Sequence, residues 1–256
     1  MAENILSRQF MVKPSECNAN GELPLTTLVA QIIDIATDHA NQLGIGFLEL
    51  GPQGLGWVLS RLSVEMKRWP KNGESYRLST WIETYNAHFS ERCFSIITED
   101  GEVIGYSRTI WVIIYLENHM SAGTAGTVMP DEMIAAFPCP IPKMVRTRPF
   151  TPQVEVEYVF KYTDLDFYRH VNTVRYISLL LNQFTLAEFD SHLLSRFDIA
   201  FAHEAKYGET ALIKSKEEPA ATPSMAEVGK QSVKRDFEIV VDDRQVLTSS
   251  IVLTEL

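Results

Sequence analysis

Residues 60–64 read SRLSV and residues 195–199 read SRFDI, so one short pattern returns 135 residues later without a gap. A Gly-Glu pair repeats with the same offset, at Gly73-Glu74 and at Gly208-Glu209. Self-similarity at a fixed offset is typical of a duplicated structural unit. The chain of 256 residues is therefore predicted to contain two copies of one module.

Each copy begins with a helix. Apolar residues at helical spacing predict one helix over residues 25–43, followed by Gly44, and a second over residues 172–189. Alternating or β-branched stretches after each helix predict strands, at residues 62–66, 76–82, 89–98 and 103–115 in the first copy and 196–204, 209–217, 232–241 and 245–254 in the second. Asp100-Gly101 and Asp242-Asp243 predict hairpin turns.

The order of these elements predicts the fold class. One helix for every four strands, without a βαβ rhythm, disfavours a doubly wound parallel sheet. We predict an α+β fold, a tandem (double) hotdog, in which an antiparallel sheet wraps around a long helix in each repeat. The Pro- and Gly-containing residues 119–148 predict a linker between an N-terminal hotdog, residues 1–118, and a C-terminal hotdog, residues 149–256.

Composition excludes several classes of protein. With 33 Asp and Glu against 23 Lys and Arg the net charge is −10, which disfavours a nucleic-acid partner. We expect no membrane span, because the longest apolar run is far below about 18 residues, and no secretory signal. The three cysteines, Cys17, Cys93 and Cys139, form no C-x-x-C pair, which predicts reduced thiols, a cytoplasmic protein and no metal site.

The chemistry is expected in one segment, YTDLDFYRHVNTVRYI at residues 162–177. Phosphate-binding, serine-hydrolase and zinc-protease motifs are absent from the sequence. Asp166 and His170 lie in a polar turn before the second helix, and Asn172 is suited to cap that helix. A helix start offers unpaired N–H groups that stabilise developing negative charge on a carbonyl oxygen. An acid and an imidazole beside it fit a hydrolytic site.

The same segment resembles the acyl-acyl-carrier-protein (acyl-ACP) thioesterases of plants and bacteria, and the duplication and chain length are similar to that family's. The resemblance implies a hydrolase that cleaves the thioester of fatty acyl-ACP, with acyl carrier protein as partner, no cofactor, and a homodimer left open. It implies that Asp166 and His170 match the family's catalytic aspartate and histidine. Glu204, 34 residues after His170, matches its catalytic glutamate.

Two residues depart from the family's pattern. Tyr168 stands where the family often has asparagine, and Ala205 stands where the plant enzymes have cysteine, so a cysteine mechanism is excluded. Tyr168 and Asn172 are predicted to support the site. If no bulge interrupts the strand, alternation places Glu204 on one face with Ala200 and Ala202, small residues that would leave room for a ligand.

The first repeat lacks these groups. Aligning the helices places Asn18, Asn20 and Glu22 opposite Asp166, Tyr168 and His170, and Trp69 falls opposite Glu204. The first hotdog is therefore expected to hold the acyl chain, with Trp57 as a candidate substrate-binding residue.

Alternatives remain from the sequence alone. The same chemistry could act on acyl-CoA, or the protein could bind acyl groups without hydrolysis. His39 is expected in the core or at an interface, whereas surface roles are expected for His88, His119, His192 and His203. Carrier docking has two candidate basic sets, which are Lys143, Arg146 and Arg148 in the linker and Arg169, Arg175 and Lys206 near the site.

Overall fold

Eleven strands and four α-helices occur in the computed structural model, which describes residues 4–124, 133–135, 138–145, 147–221, 223–226 and 229–256. The first repeat contains β1 (Ile5–Met11), α1 (Leu25–Gln42), α2 (Phe47–Leu50), β2 (Leu55–Met66), β3 (Ser75–Tyr85), β4 (Ser90–Thr98), β5 (Val103–Tyr115) and β6 (Ser121–Gly123). The second contains β7 (Val154–Val159), α3 (Thr173–Leu181), α4 (Leu186–Ser191), β8 (His192–Phe201), β9 (Thr210–Ala220), β10 (Ser232–Val241) and β11 (Arg244–Glu255).

All eleven strands form one antiparallel sheet, in the order β1-β3-β4-β5-β2-β8-β11-β10-β9-β7, with β6 paired to β5. The two repeats meet where β2 pairs with β8. At the centre of this pairing Ser63 lies opposite Asp198, its counterpart 135 residues later in the chain. The seam between the repeats therefore contains the pseudo-twofold axis of the duplication.

Buried charges cross the seam between β2 and β8. Arg196 Nε donates to Asp198 Oδ2 at 2.6 Å, and its Nη1 donates to Glu65. Ser63 Oγ donates to Asp198 Oδ1 at 2.5 Å, and Arg196 Nη2 donates to the Pro142 carbonyl at 3.2 Å. Burial lowers the pKa of Arg196, but the hydrogen bonds and charges of Asp198 and Glu65 outweigh it and leave the pKa above its ordinary value. One charged guanidinium thus ties both repeats and the segment between them together.

The hydrophobic core is continuous across the two repeats. Helix α1 contacts α3, and side chains from both helices and both halves of the sheet belong to one cluster. The buried stripe of α1 follows the predicted helical spacing, with Leu25, Leu28, Val29, Ile32, Ile35, Ala36, His39 and Ala40. None of the described helices is long and apolar enough to cross a membrane. The three cysteines are free thiols in the structure.

The second long helix is divided, contrary to the prediction of one helix over residues 172–189. Helix α3 ends at Leu181, and α4 starts again after Thr185. The Thr185 hydroxyl accepts from the Glu188 amide at 3.3 Å, while the Glu188 carboxylate accepts from the Thr185 amide at 2.7 Å. This reciprocal capping starts a new helix. Phe184 and Phe189 still pack on the core, so the apolar spacing continues across the break between the helices. The spacing therefore gave no sign that one helix ends and another begins.

Three strands were not predicted. β1 and β7 form the two edges of the sheet, and most of their residues are half-buried or exposed. β1 has no apolar alternation, whereas in β7 Val154, Val156 and Tyr158 alternate with two glutamates, a strand pattern that was overlooked. The short strand β6 lies within the predicted linker, residues 119–148, and pairs with β5. The domain boundaries at 118 and 149 remain a proposal.

His39 is a core residue, as predicted. Its imidazole on α1 is buried, and Arg92 Nη1 on β4 lies 2.6 Å from His39 Nδ1. Burial, and next the positive charge of Arg92, lower the pKa of His39 to about 4. Burial also lowers the pKa of Arg92, to about 9. The folded protein therefore favours the neutral form of the His39 imidazole beside the Arg92 guanidinium.

We predict that His39 makes the protein less stable in mild acid. The pKa of His39 falls from 6.5 in the unfolded chain to about 4 in the folded chain, so the unfolded state takes up its proton first as the pH falls. The free energy of unfolding should decrease between about pH 6.5 and pH 4, and His39→Gln should weaken this decrease. Urea unfolding at pH 7 and pH 5 measures it, with His203→Gln as the exposed control. Equal pH slopes for wild type and His39→Gln would contradict the prediction.

Candidate active site

A tight turn before α3 presents His170. Asp166 Oδ1 accepts from the backbone amides of Tyr168 at 2.8 Å and His170 at 3.1 Å. The Asp166 amide donates to the His170 carbonyl at 2.8 Å, and Arg169 has a φ of +67°, in the left-handed region. Short side-chain acceptors of this kind are the usual means of closing such turns. The Asp166 carboxylate is thus bonded to the backbone of the turn.

The first repeat builds the same turn with asparagine. Asn18 Oδ1 accepts from the amides of Asn20 at 3.0 Å and Glu22 at 2.9 Å. Glu22 forms an isolated β-bridge with Lys71, and His170 forms the equivalent bridge with Lys206. The alignment of Glu22 with His170 is therefore confirmed, and the turn requires an oxygen acceptor but no negative charge.

Glu204 does not lie on the strand that was predicted to carry it. β8 ends at Phe201, and the amides of Ala202 and His203 both donate to the Val246 carbonyl, at 2.8 and 3.2 Å. The side-chain alternation therefore stops before Glu204, and the predicted face shared with small residues is wrong. The Glu204 side chain is 43% exposed.

Two hydrogen bonds hold the Glu204 segment against α3 and the turn that precedes it. The Ala205 amide donates to the buried Tyr176 hydroxyl at 3.0 Å, and the Ala205 carbonyl accepts from the Val171 amide at 2.9 Å. These bonds bring Glu204 Oε2 to 3.4 Å from His170 Nδ1. The predicted histidine and glutamate are thus together, and the predicted aspartate reaches them only through the turn.

A third residue of this cluster was expected at the surface without partners. His119 is exposed, as expected, but it has partners in the site. His119 lies in the turn between β5 and β6, and its Nδ1 is 2.7 Å from Glu204 Oε2. Its ring meets the His170 ring edge-on, with centroids 5.2 Å apart. His119 and Glu204 are 85 residues apart and belong to different repeats, so no sequence spacing connects them.

The backbone of His119 is well anchored. Its φ of +58° lies in the left-handed region, and its amide donates to the Tyr115 carbonyl at 2.8 Å. Asn118 Oδ1 closes the same turn by accepting from the Met120 amide at 2.9 Å. The turn therefore directs His119 from the first repeat toward the pair in the second.

The supporting residues take separate positions. Asn172 caps α3, since its Oδ1 accepts from the Val174 amide at 3.0 Å. Tyr168 is exposed and its ring lies 4.0 Å from that of Phe167. Trp57 Nε1 donates to the Ile45 carbonyl at 2.7 Å, within a hydrophobic cluster near the end of α1. The substrate-binding role of Trp57 remains a prediction.

The first repeat has no equivalent pair. Trp69, opposite Glu204, is buried, and its Nε1 donates to the Leu194 carbonyl at 3.0 Å. Burial raises the pKa of Glu22, opposite His170. In the first repeat, the position that corresponds to Glu204 is therefore occupied by a tryptophan that packs between the two repeats.

The structure also contains a cavity in the first repeat and a group of side chains that could bind a metal ion. A cavity of about 520 Å³ opens between the first repeat's sheet and the segment that follows it, lined among others by Ser79, Trp81 and Pro140. The candidate catalytic residues are not among its lining. His119, His170 and Glu204 are the group that could hold a metal ion among the described residues.

Two hotdog repeats in one sheet, with a histidine and a glutamate beside the helix of the second repeat only, define a double-hotdog protein with one candidate hydrolytic site. The chain belongs to the acyl-ACP thioesterase family. The family's N-terminal domain matches residues 3–137 and its C-terminal domain matches residues 148–252.

Relatives agree with this assignment. An acyl-ACP thioesterase from Bacteroides thetaiotaomicron is 28% identical, with a TM-score of 0.85 over 99% of this chain and 100% of that chain. The 12:0-ACP thioesterase of Umbellularia californica has the same fold, with a TM-score of 0.80 at 16% identity over 100% of this chain and 99% of that one. A chloroplastic palmitoyl-acyl carrier protein thioesterase from Gossypium hirsutum is 26% identical over 78% of this chain and 52% of its own. The chain spans about half the length of the curated relatives it matches.

Proposed function

We propose that the protein hydrolyses the thioester between a fatty acyl chain and the phosphopantetheine arm of acyl carrier protein, in the cytoplasm. The observation that carries this proposal is the contact between Glu204 and His170 beside the start of α3, in a chain of this family. His119, His170 and Glu204 all come from one chain, so the contacts among them do not require a second copy.

Water is the nucleophile in this proposal. Glu204, together with His170, takes a proton from water while the water oxygen attacks the thioester carbonyl carbon. The tetrahedral intermediate then breaks its carbon–sulfur bond, the thiolate of the carrier leaves and accepts the proton, and the fatty acid is released. No cofactor takes part in these steps.

His119 positions the base. Its Nδ1 and that of His170 approach the same oxygen of Glu204, at 2.7 and 3.4 Å. Two imidazoles on one carboxylate oxygen restrict the rotation of an otherwise exposed side chain. Such restriction favours a reactive geometry, since small displacements of a base slow catalysis strongly.

The start of α3 supplies the oxyanion donor. The Asn172 side chain already binds the Val174 amide, and the Asn172 carbonyl binds the amides of Arg175 and Tyr176. Among the described hydrogen bonds outside regular elements, none engages the Thr173 amide, at the first residue of the helix. We assign this amide to the developing oxyanion.

The carrier is proposed to dock around the site. Five exposed aromatic or basic side chains surround His170 in the chain and across its β-bridge; they are Phe167, Tyr168, Arg169, Lys206 and Tyr207, here termed the rim. In the other candidate set, Lys143 is paired with Glu91 at 2.7 Å, and Arg146 lies outside the described residues. The rim therefore offers basic charge next to the site in an acidic chain.

The decisive experiment measures thiol release from one fatty acyl group carried by acyl carrier protein or by coenzyme A. We expect hydrolysis of both, with a higher kcat/KM for the carrier protein. Lys206→Glu should lower kcat/KM for the protein-bound substrate by about tenfold and leave the coenzyme A substrate nearly unchanged. Release of no thiol from either substrate would overturn the proposal, and binding without release would support an acyl-binding protein.

We predict that the charge of Asp166 is dispensable. Asp166→Asn keeps the acceptor oxygen that closes the equivalent turn at Asn18, so stability and kcat/KM should stay near wild type. Asp166→Ala removes two hydrogen bonds, and we expect a loss of about 1–2 kcal/mol in unfolding free energy and up to about 100-fold in kcat/KM. Urea unfolding and steady-state rates measure both. If the asparagine variant is as slow as the alanine variant, Asp166 acts through its charge.

A further inference from the structure

Three side chains of types that bind metal ions meet at the site. One ring nitrogen each of His119 and His170 and one carboxylate oxygen of Glu204 all lie within 4.8 Å of one another. We propose that these residues form a site for a divalent transition-metal ion of the Zn²⁺ type, and that the bound ion inhibits the protein.

The donor set suits zinc. Two imidazoles and one carboxylate, with water as a fourth ligand, are a common ligand set for Zn²⁺ in proteins. Zinc bonds of about 2.0–2.2 Å in a tetrahedron place neighbouring ligand atoms about 3.3–3.6 Å apart. Glu204 Oε2 lies 2.7 Å from His119 Nδ1 and 3.4 Å from His170 Nδ1. Side-chain shifts of about 1–1.5 Å therefore reach the required geometry.

An ion can reach this cluster from solvent. The side chains of His119 and Glu204 are 41% and 43% exposed, and that of His170 is 17% exposed. Arg244, one of the cations near Glu204, is already paired, because it donates to the Glu204 carbonyl through Nη1 and to Glu209 at 3.2 Å through Nη2. The open side of the cluster leaves space for the water ligand.

Inhibition follows from the ligands themselves, and this part rests on the proposed function. Zn²⁺ would occupy the oxygen and nitrogen lone pairs that Glu204 and His170 need to activate water. The ligands come from both repeats, so the ion would also join the β5–β6 turn to the second repeat. Binding to the folded chain alone stabilises it, which raises the Tm.

The test measures Zn²⁺ binding to the full chain without substrate, by competition with a chromophoric chelator. We expect one ion per wild-type chain and a rise in Tm. His119→Gln and Glu204→Gln should each lower the affinity by at least about tenfold, and Mg²⁺ should not compete, because it binds poorly to imidazole. His203→Gln, an exposed histidine whose Nδ1 contacts the Gln245 carbonyl, should bind like wild type.

The outcomes separate the metal site from the enzyme activity. Equal Zn²⁺ affinity in wild type, His119→Gln and Glu204→Gln would overturn the site. Full hydrolysis at a saturating Zn²⁺ concentration would overturn the inhibition. A chain that bound Zn²⁺ at these residues but hydrolysed neither thioester would support the site and overturn the proposed function.

Discussion

Exchanging Glu204 for glutamine is expected to lower kcat/KM for acyl-ACP hydrolysis by about 10²- to 10⁴-fold. Glutamine has nearly the same shape and can still contact His119 and His170, but it cannot accept a proton from water. Because the Glu204 side chain is 43% exposed, the free energy of unfolding should change by less than about 0.5 kcal/mol. Steady-state thiol release and urea unfolding measure the two quantities.

The matched control is Glu155→Gln, an exposed carboxylate on β7, which should hydrolyse at the wild-type rate. His170→Gln should slow the reaction to a similar extent as Glu204→Gln. The double variant should be little slower than either single variant, because groups that act as one unit are not additive. Wild-type turnover by Glu204→Gln would remove the carboxylate from the mechanism.

Replacing Arg196 by methionine is expected to lower the free energy of unfolding by about 3–5 kcal/mol. The change leaves the buried carboxylates of Glu65 and Asp198 without their cation, at the seam that joins the two repeats. Uncompensated buried charge is among the largest effects that one substitution can cause. The midpoint of urea unfolding, monitored by tryptophan fluorescence, measures the loss.

Arg8→Met is the matched control, because Arg8 pairs with Asp38 at 2.6 Å on the surface. An exposed pair contributes about 0–1 kcal/mol, so this variant should unfold near the wild-type midpoint. If Arg196→Met does not fold, Asp198→Asn keeps the hydrogen-bond acceptor for Arg196 and provides a milder change. Equal midpoints for Arg196→Met and Arg8→Met would show that the seam does not depend on this ion pair.

Local patterns predicted much of the fold. The spacing of apolar residues located α1, and the hairpin turn predicted at Asp242-Asp243 is present between β10 and β11, with both residues at positive φ. Periodicity could not locate the break between α3 and α4, because the hydrophobic face continues through it. Nor could it find the edge strand β1, which has no apolar alternation, whereas the alternation of Val154, Val156 and Tyr158 with glutamates in β7 was overlooked.

Some residues of the candidate site could be predicted from local sequence, and others could not. Asp166 and His170 lie in one turn, so a local motif includes both. In the first repeat Asn18 closes the equivalent turn, which shows that this backbone conformation needs a side-chain oxygen acceptor at that position. Glu204 was selected by family resemblance, whereas the strand alternation used to orient it ends at Phe201. His119 was missed, because its partner is 85 residues away and in the other repeat.

The sequence by itself determined the duplicated module, the hotdog class and the turn that presents His170, because these depend on apolar periodicity, on capping side chains and on similarity between the two halves of the chain. Only the tertiary structure decided that one sheet runs through both repeats, that Arg196 ties them together, and that His119 joins His170 and Glu204. Contacts across the seam depend on strand register and on long-range packing, and no local pattern in the amino-acid sequence of either strand predicts them.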